Sequence, residues 1–130
     1  VSSQSATITL IDRDPSVRRA LSRVFSAAGF ATEAFASAEE FLGTPRDRHG
    51  TCVVADTRLP GIGGLELMRR AGLEHPGIPF ILLTTEDDDA MRLKARAAGA
   101  AALFRKPVDP EALLDSVRWA LPSPLSAVPA

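Results

Sequence analysis

Several short apolar runs in this sequence end on residues able to handle phosphorus or a metal ion. Thr7–Ile11 leads into Asp12-Arg13-Asp14, Cys52–Ala55 into Asp56, Phe80–Thr84 closes on a hydroxyl, and Ala101–Phe104 is followed by Lys106. A carboxylate at such a place can act as a nucleophile toward phosphorus. A hydroxyl and an ammonium can hold phosphoryl oxygens, and neighbouring carboxylates can hold Mg²⁺. Arg13 is the odd member, a fixed positive charge between two acids. Taken singly, each residue has a plainer use: an Asp after a strand caps a helix, a Thr reflects β-propensity, and Lys-Pro is a loop. Their joint placement at successive strand ends is what argues for a site.

The elements that must position them follow from periodicity. The runs Thr7–Ile11, Ala31–Phe35, Cys52–Ala55, Phe80–Thr84 and Ala101–Phe104 read as strands. Between them lie helical patterns. Val17, Leu21, Val24, Phe25 and Ala28 form one apolar stripe, opened by Asp14-Pro15 and stopped at Gly29. Ser37-Ala38-Glu39-Glu40 is a capping box. Leu65, Met68 and Ala71 mark a third helix; Met91, Ala95 and Ala98 mark a fourth, ended by Gly99. Leu113, Leu114, Val117 and Leu121 mark a fifth behind Asp109-Pro110. This alternation predicts an α/β fold, a (βα)₅ unit with a parallel sheet between helix layers. Ligands in such sheets bind beyond the carboxyl ends of the strands, where the polar residues fall.

At 130 residues the chain is sized for one domain. A net charge of −1 gives no general attraction to nucleic acid, and no apolar run approaches a membrane span. The lone cysteine, Cys52, sits in an apolar run and reads as a buried hydrophobe in a reducing, cytoplasmic setting. Residues 1–121 read as the domain, and the Pro/Ser/Ala-rich 122–130 as the start of an interdomain linker or disordered tail. Glu86-Asp87-Asp88-Asp89 is expected to serve a helix N-terminus rather than a metal. Pro60-Gly61-Ile62-Gly63-Gly64 reads as a loop, and His49 and His75 receive no role.

"VVADTRLPGIGGLELMRR", "IPFILLT" and "GAAALFRKP" together resemble the receiver domain of bacterial two-component response regulators. "DPSVRRAL" and "GFATEAFASAEEFL" are most similar to the FixJ-type subgroup, commonly joined to a helix-turn-helix output domain. The resemblance implies a doubly wound, flavodoxin-like sheet of order 2-1-3-4-5. It implies that Asp56 accepts a phosphoryl group from a sensor histidine kinase, with Lys106 pairing to that group and Thr84 moving toward it. It implies Mg²⁺ held by Asp12, Asp56 and the backbone carbonyl of Arg58, and a homodimer or output contact on the face of helix 4, strand 5 and helix 5. The implied role is regulatory rather than enzymatic.

Two positions depart from the family pattern. Arg13 replaces the second of two adjacent acids, and Leu103 stands where an aromatic switch residue is usual, with Phe104 on the opposite strand face. Weak or absent Mg²⁺ binding is therefore expected. Arg13 could instead pair with Asp56, giving a phosphorylation-independent docking module. The Asp12-x-Asp14 motif also resembles haloacid-dehalogenase-type phosphatases, with Asp12 as nucleophile. That rival leaves Asp56 without a purpose.

Overall fold

The computed structural model describes residues 6–86 and 88–121. Asp87 and the tail expected at 122–130 lie outside the described residues. The elements run β1 (Thr7–Ile11), α1 (Pro15–Ala27), β2 (Ala31–Phe35), α2 (Ala38–Leu42) and β3 (Thr51–Asp56). They continue as α3 (Gly64–Glu74), β4 (Phe80–Thr84), α4 (Asp89–Ala98), β5 (Ala102–Arg105) and α5 (Pro110–Ala120). All strand pairs are parallel, in the order β2-β1-β3-β4-β5. The expected fold is the observed one.

Alternation along each strand divides the core into two layers. Ile8, Leu10, Cys52, Val54, Ile81 and Leu83 face Leu21 and Phe25 of α1 and Leu113 and Val117 of α5. Ile11, Val53, Ala55, Phe80 and Leu82 face Phe41 of α2, Leu67, Met68 and Ala71 of α3, and Ala95 of α4. β3 and β4 are buried throughout, as central parallel strands covered on both faces must be. Leu103 and Phe104 of β5 pack on opposite layers, as the strand period requires.

Local signals set the helix ends. Asp14 accepts hydrogen bonds from the Ser16 N–H at 2.9 Å and from its hydroxyl at 2.7 Å, with Pro15 at the first helical position. Ser37 accepts from the Glu40 N–H at 3.1 Å, while the Glu40 carboxylate accepts from the Ala36 N–H at 2.9 Å, closing the capping box one residue further out. Asp88 caps α4 by accepting from the Met91 N–H at 2.8 Å, and Asp109 caps α5. Gly99 ends α4 with φ of 92°, a conformation that favours glycine.

Two strand limits differ from the apolar runs. β3 takes in Thr51 and Asp56, because Asp56 still pairs with Leu83 of β4. β5 is Ala102–Arg105, its register set by Ile81↔Ala102 and Thr84↔Arg105 rather than by hydrophobicity. The loop before β3 is held by Arg48, a buried cation paired with Glu33 of β2 and lying 4.4 Å from the Phe41 ring centroid. Among the described residues no helix is long and apolar enough to cross a membrane.

Burial pushes the Cys52 thiol up to about 12. Native protein should therefore resist a thiol-specific disulfide reagent at about pH 8 and react at once in denaturant. Labelling kinetics followed by absorbance check this; fast labelling of the native chain would contradict a sealed strand.

Candidate functional site

The polar residues meet at the carboxyl ends of β1, β3, β4 and β5. Asp12 follows β1 and is fully buried, Asp56 closes β3 and is 6% exposed, and Thr84 closes β4 fully buried. Lys106 lies just past β5, where its N–H donates to the Thr84 carbonyl at 2.8 Å. Its ammonium reaches across the strand ends, 2.7 Å from Asp12 Oδ2 and 3.0 Å from Asp56 Oδ2. One ammonium thus holds two carboxylates brought from separate strands.

The remaining carboxylate oxygens are engaged by backbone. Asp12 Oδ1 accepts from the Asp14 N–H at 2.9 Å, and Asp56 Oδ1 from the Arg58 N–H at 2.9 Å. Burial alone would lower the Lys106 ammonium, but its bonds to Asp12 and Asp56 outweigh this and hold it above the ordinary 10.5. A raised value in the folded chain means that this contribution to stability is complete below 10.5 and is lost as pH rises through the folded-state value. At neutral pH the Lys106 ammonium is therefore charged.

Thr84 is brought to the site but makes no hydrogen bond to Asp56. Its hydroxyl oxygen accepts from the Thr57 hydroxyl at 3.0 Å and from the Glu86 N–H at 2.9 Å. Arg58 pairs with Glu86 across the mouth, tying the loop after β3 to the loop after β4. Gly64 opens α3 so close beneath the site that an added Cβ would lie 2.5 Å from the Asp56 carbonyl oxygen.

Arg13 does not pair with Asp56, which corrects that expectation. It is exposed, with no hydrogen bond or ion pair among the described residues. The reason is local: the Asp14 N–H turns back onto Asp12, whose carbonyl also accepts from Arg18 Nη1 at 2.6 Å, and Lys106 already occupies Asp56. Leu103 packs into the layer of α2, α3 and α4.

Several contributors escaped the sequence reading. Arg18 bonds the Asp12 carbonyl, Thr57 bonds Thr84, and Glu39 of α2 accepts from the Ile62 N–H at 3.0 Å to steady the loop after β3. No spacing rule links residues 23 or 27 positions apart, and only the register brings them together. His49 and His75 line a 390 Å³ cleft with Arg48 and Glu74 at the opposite ends of the strands, away from this site.

Residues 8–118 match the family model described as the response regulator receiver domain. This chain belongs to the receiver family. It is 35% identical over 120 residues to the transcriptional regulatory protein FixJ of Azorhizobium caulinodans, covering 91% of this chain and 56% of that protein. Nodulation protein W of Bradyrhizobium diazoefficiens is 34% identical over 115 residues, covering 88% of this chain and 51% of that protein. The chain therefore spans about half the length of the curated relatives it matches.

Among solved structures, FixJ-N aligns with a TM-score of 0.80 at 31% identity, over 89% of this chain and 93% of that one. The BeF3-activated DrrB receiver domain aligns with a TM-score of 0.82 at 32% identity, over 89% and 97%. Receiver membership overturns the phosphatase reading of Asp12. Asp12 is also wholly buried, whereas Asp56 keeps a small exposed edge.

Receiver domains typically bind Mg²⁺. The donor set here does not fit such a site. Its two carboxylates, Asp12 and Asp56, are already bridged by an ammonium, and the residue between Asp12 and Asp14 is a cation. Among the described residues no group of three His, Cys, Asp or Glu is placed to hold a metal ion. Arg58 is tied to Asp56 through its N–H.

Removing the ammonium leaves adjacent carboxylates uncompensated, one of them fully buried. Lys106→Met should cost about 3 kcal/mol of stability by the cost of breaking a buried pair. The same change at exposed Lys94 should cost almost nothing, and urea unfolding of the two variants compares them. Gly64→Ala should destabilise by about 1–3 kcal/mol through overpacking against the Asp56 backbone, as the same measurement would show.

Proposed function

We propose that this chain is a phosphoryl-accepting receiver acting in the cytoplasm, with Asp56 as the acceptor and a sensor histidine kinase as the donor. The observation that carries this reading is the Lys106 ammonium, bonded at once to Asp12 and Asp56. An Asp56 carboxylate oxygen attacks the phosphorus of a phosphohistidine. The new O–P bond forms as the P–N bond breaks, and the imidazole leaves with the nitrogen's electron pair. Lys106 meets the negative charge carried by the transferred oxygens, a role that needs a cation fixed in advance of the reaction. Asp12 holds Lys106 in place and keeps it protonated.

Thr84 supplies the readout in this proposal. Its hydroxyl is occupied by Thr57 and the Glu86 N–H in the unmodified chain. A phosphoryl group on Asp56 competes for that hydroxyl, and releasing it loosens the link from β4 to the segment entering α4. The change is a population shift between two packings. The outward partner is a second copy or an output domain at the α4–β5–α5 face; α4 and α5 each carry a large exposed apolar side chain, Leu93 at 66% and Trp119 at 91%. Relatives that extend well beyond the matched region, one of them a transcriptional regulator by name, support an output domain.

A second reading keeps the docking face and drops the chemistry. Leu103 favours it, because an aliphatic side chain packed into the α2–α3–α4 layer offers no aromatic ring to turn inward.

Intact-mass measurement after incubation with phosphoramidate separates the two. The proposal expects one added phosphoryl group per chain, absent in Asp56→Asn. An unmodified chain, or modification that survives Asp56→Asn, would overturn it.

A further inference from the structure

Arg13 stands beside the acid pair as an uncommitted cation. Arg18 is spent on the Asp12 carbonyl and Arg58 on Glu86, whereas Arg13 has no hydrogen bond or ion pair among the described residues. The backbone that carries it is nonetheless firmly held. The Asp12 N–H donates to the Phe35 carbonyl at 3.1 Å, the Asp12 carboxylate accepts from the Asp14 N–H, and Asp14 caps α1. Arg13 is thus an exposed guanidinium carried on a fixed turn, directly after Asp12, one of the two buried carboxylates.

Charge accounting points the same way. Exchanging a carboxylate for a guanidinium at this position makes the surroundings more positive by as much as a bound divalent cation would. The acids Asp12, Asp14 and Asp56 then stand against Lys106 and Arg13, with Arg58 and Glu86 cancelling each other. With a carboxylate in place of Arg13, the same cluster would be two charge units more negative toward an arriving phosphoryl group. Guanidinium suits the task because its planar fork of N–H donors matches two phosphoryl oxygens at once.

Resting on the phosphoacceptor reading, we infer that Arg13 is a phosphoryl-oxygen ligand in this receiver, and that the site takes a tetrahedral phosphoryl group without a divalent cation. Lys106 holds the group from the sheet side and Arg13 from the solvent side. The ligand class is a tetrahedral oxyanion attached to, or seated against, the Asp56 carboxylate.

Beryllofluoride is a suitable probe, being a phosphoryl mimic that activates the DrrB receiver domain. Its binding to the chain can be followed by fluorine NMR in metal-stripped buffer and again with Mg²⁺ added. The wild-type chain should bind in metal-stripped buffer, and Mg²⁺ should change its affinity by less than about threefold. Arg13→Ala should weaken metal-free binding by about tenfold or more, the worth of a charge-assisted hydrogen bond. Arg13→Asp should bind only when Mg²⁺ is present.

Because Arg13 is exposed and unbonded, these variants should unfold in urea as the wild type does. Wild-type binding that requires Mg²⁺, or unchanged metal-free binding in Arg13→Ala, would overturn this inference and leave the phosphoacceptor reading standing. Absence of binding under every condition, Mg²⁺ included, would overturn both.

Discussion

The site rests on one ammonium shared between two carboxylates. Asp12 and Asp56 arrive on neighbouring parallel strands whose register places Ile11 beside Ala55, so their side chains converge out of water. Two buried charges of one sign, side by side, would oppose the packing that brings them together. Lys106 resolves that conflict from a third strand, and its backbone N–H on the Thr84 carbonyl fixes where its long side chain begins. The bridge and the sheet register depend on each other.

The rest of the fold can be understood as what holds those strand ends still. Two apolar layers clamp β1, β3 and β4 from both faces, leaving little freedom for register shifts. Loops supply what the sheet cannot. Glu39 steadies the segment after β3, Gly64 lets α3 start directly beneath Asp56, and the Arg58–Glu86 pair joins the two loops at the mouth. The buried Thr84 hydroxyl also joins both loops at the mouth, accepting from the Thr57 hydroxyl and from the Glu86 N–H.

Much of this was legible in the sequence, for identifiable reasons. The apolar runs gave the strands because a parallel sheet covered on both faces demands them, and Asp14, Ser37, Asp109 and Gly99 marked helix ends through local hydrogen bonds and backbone geometry. The converging residues Asp12, Asp56, Thr84 and Lys106 could be found because each ends or follows such a run. Side-chain direction could not be read so well. Pairing of Arg13 with Asp56 was one of two open alternatives, and the turn from Asp12 to Asp14 leaves Arg13 exposed, a matter of three backbone residues rather than of charge attraction. Arg18, Thr57 and Glu39 stayed hidden because their partners are set by tertiary register, and β5 shifted because pairing with β4 overrides hydrophobicity.

The central claim is that Lys106 couples energetically to both carboxylates, and double-mutant cycles test it most directly. Urea unfolding of Lys106→Met, Asp12→Asn, Asp56→Asn and the two double variants gives a coupling energy for each pair. The account predicts a coupling of about 1–3 kcal/mol in both cycles, the range for groups sharing one network. Additive effects in either cycle would contradict it, since the two carboxylates would then be held independently of the lysine between them.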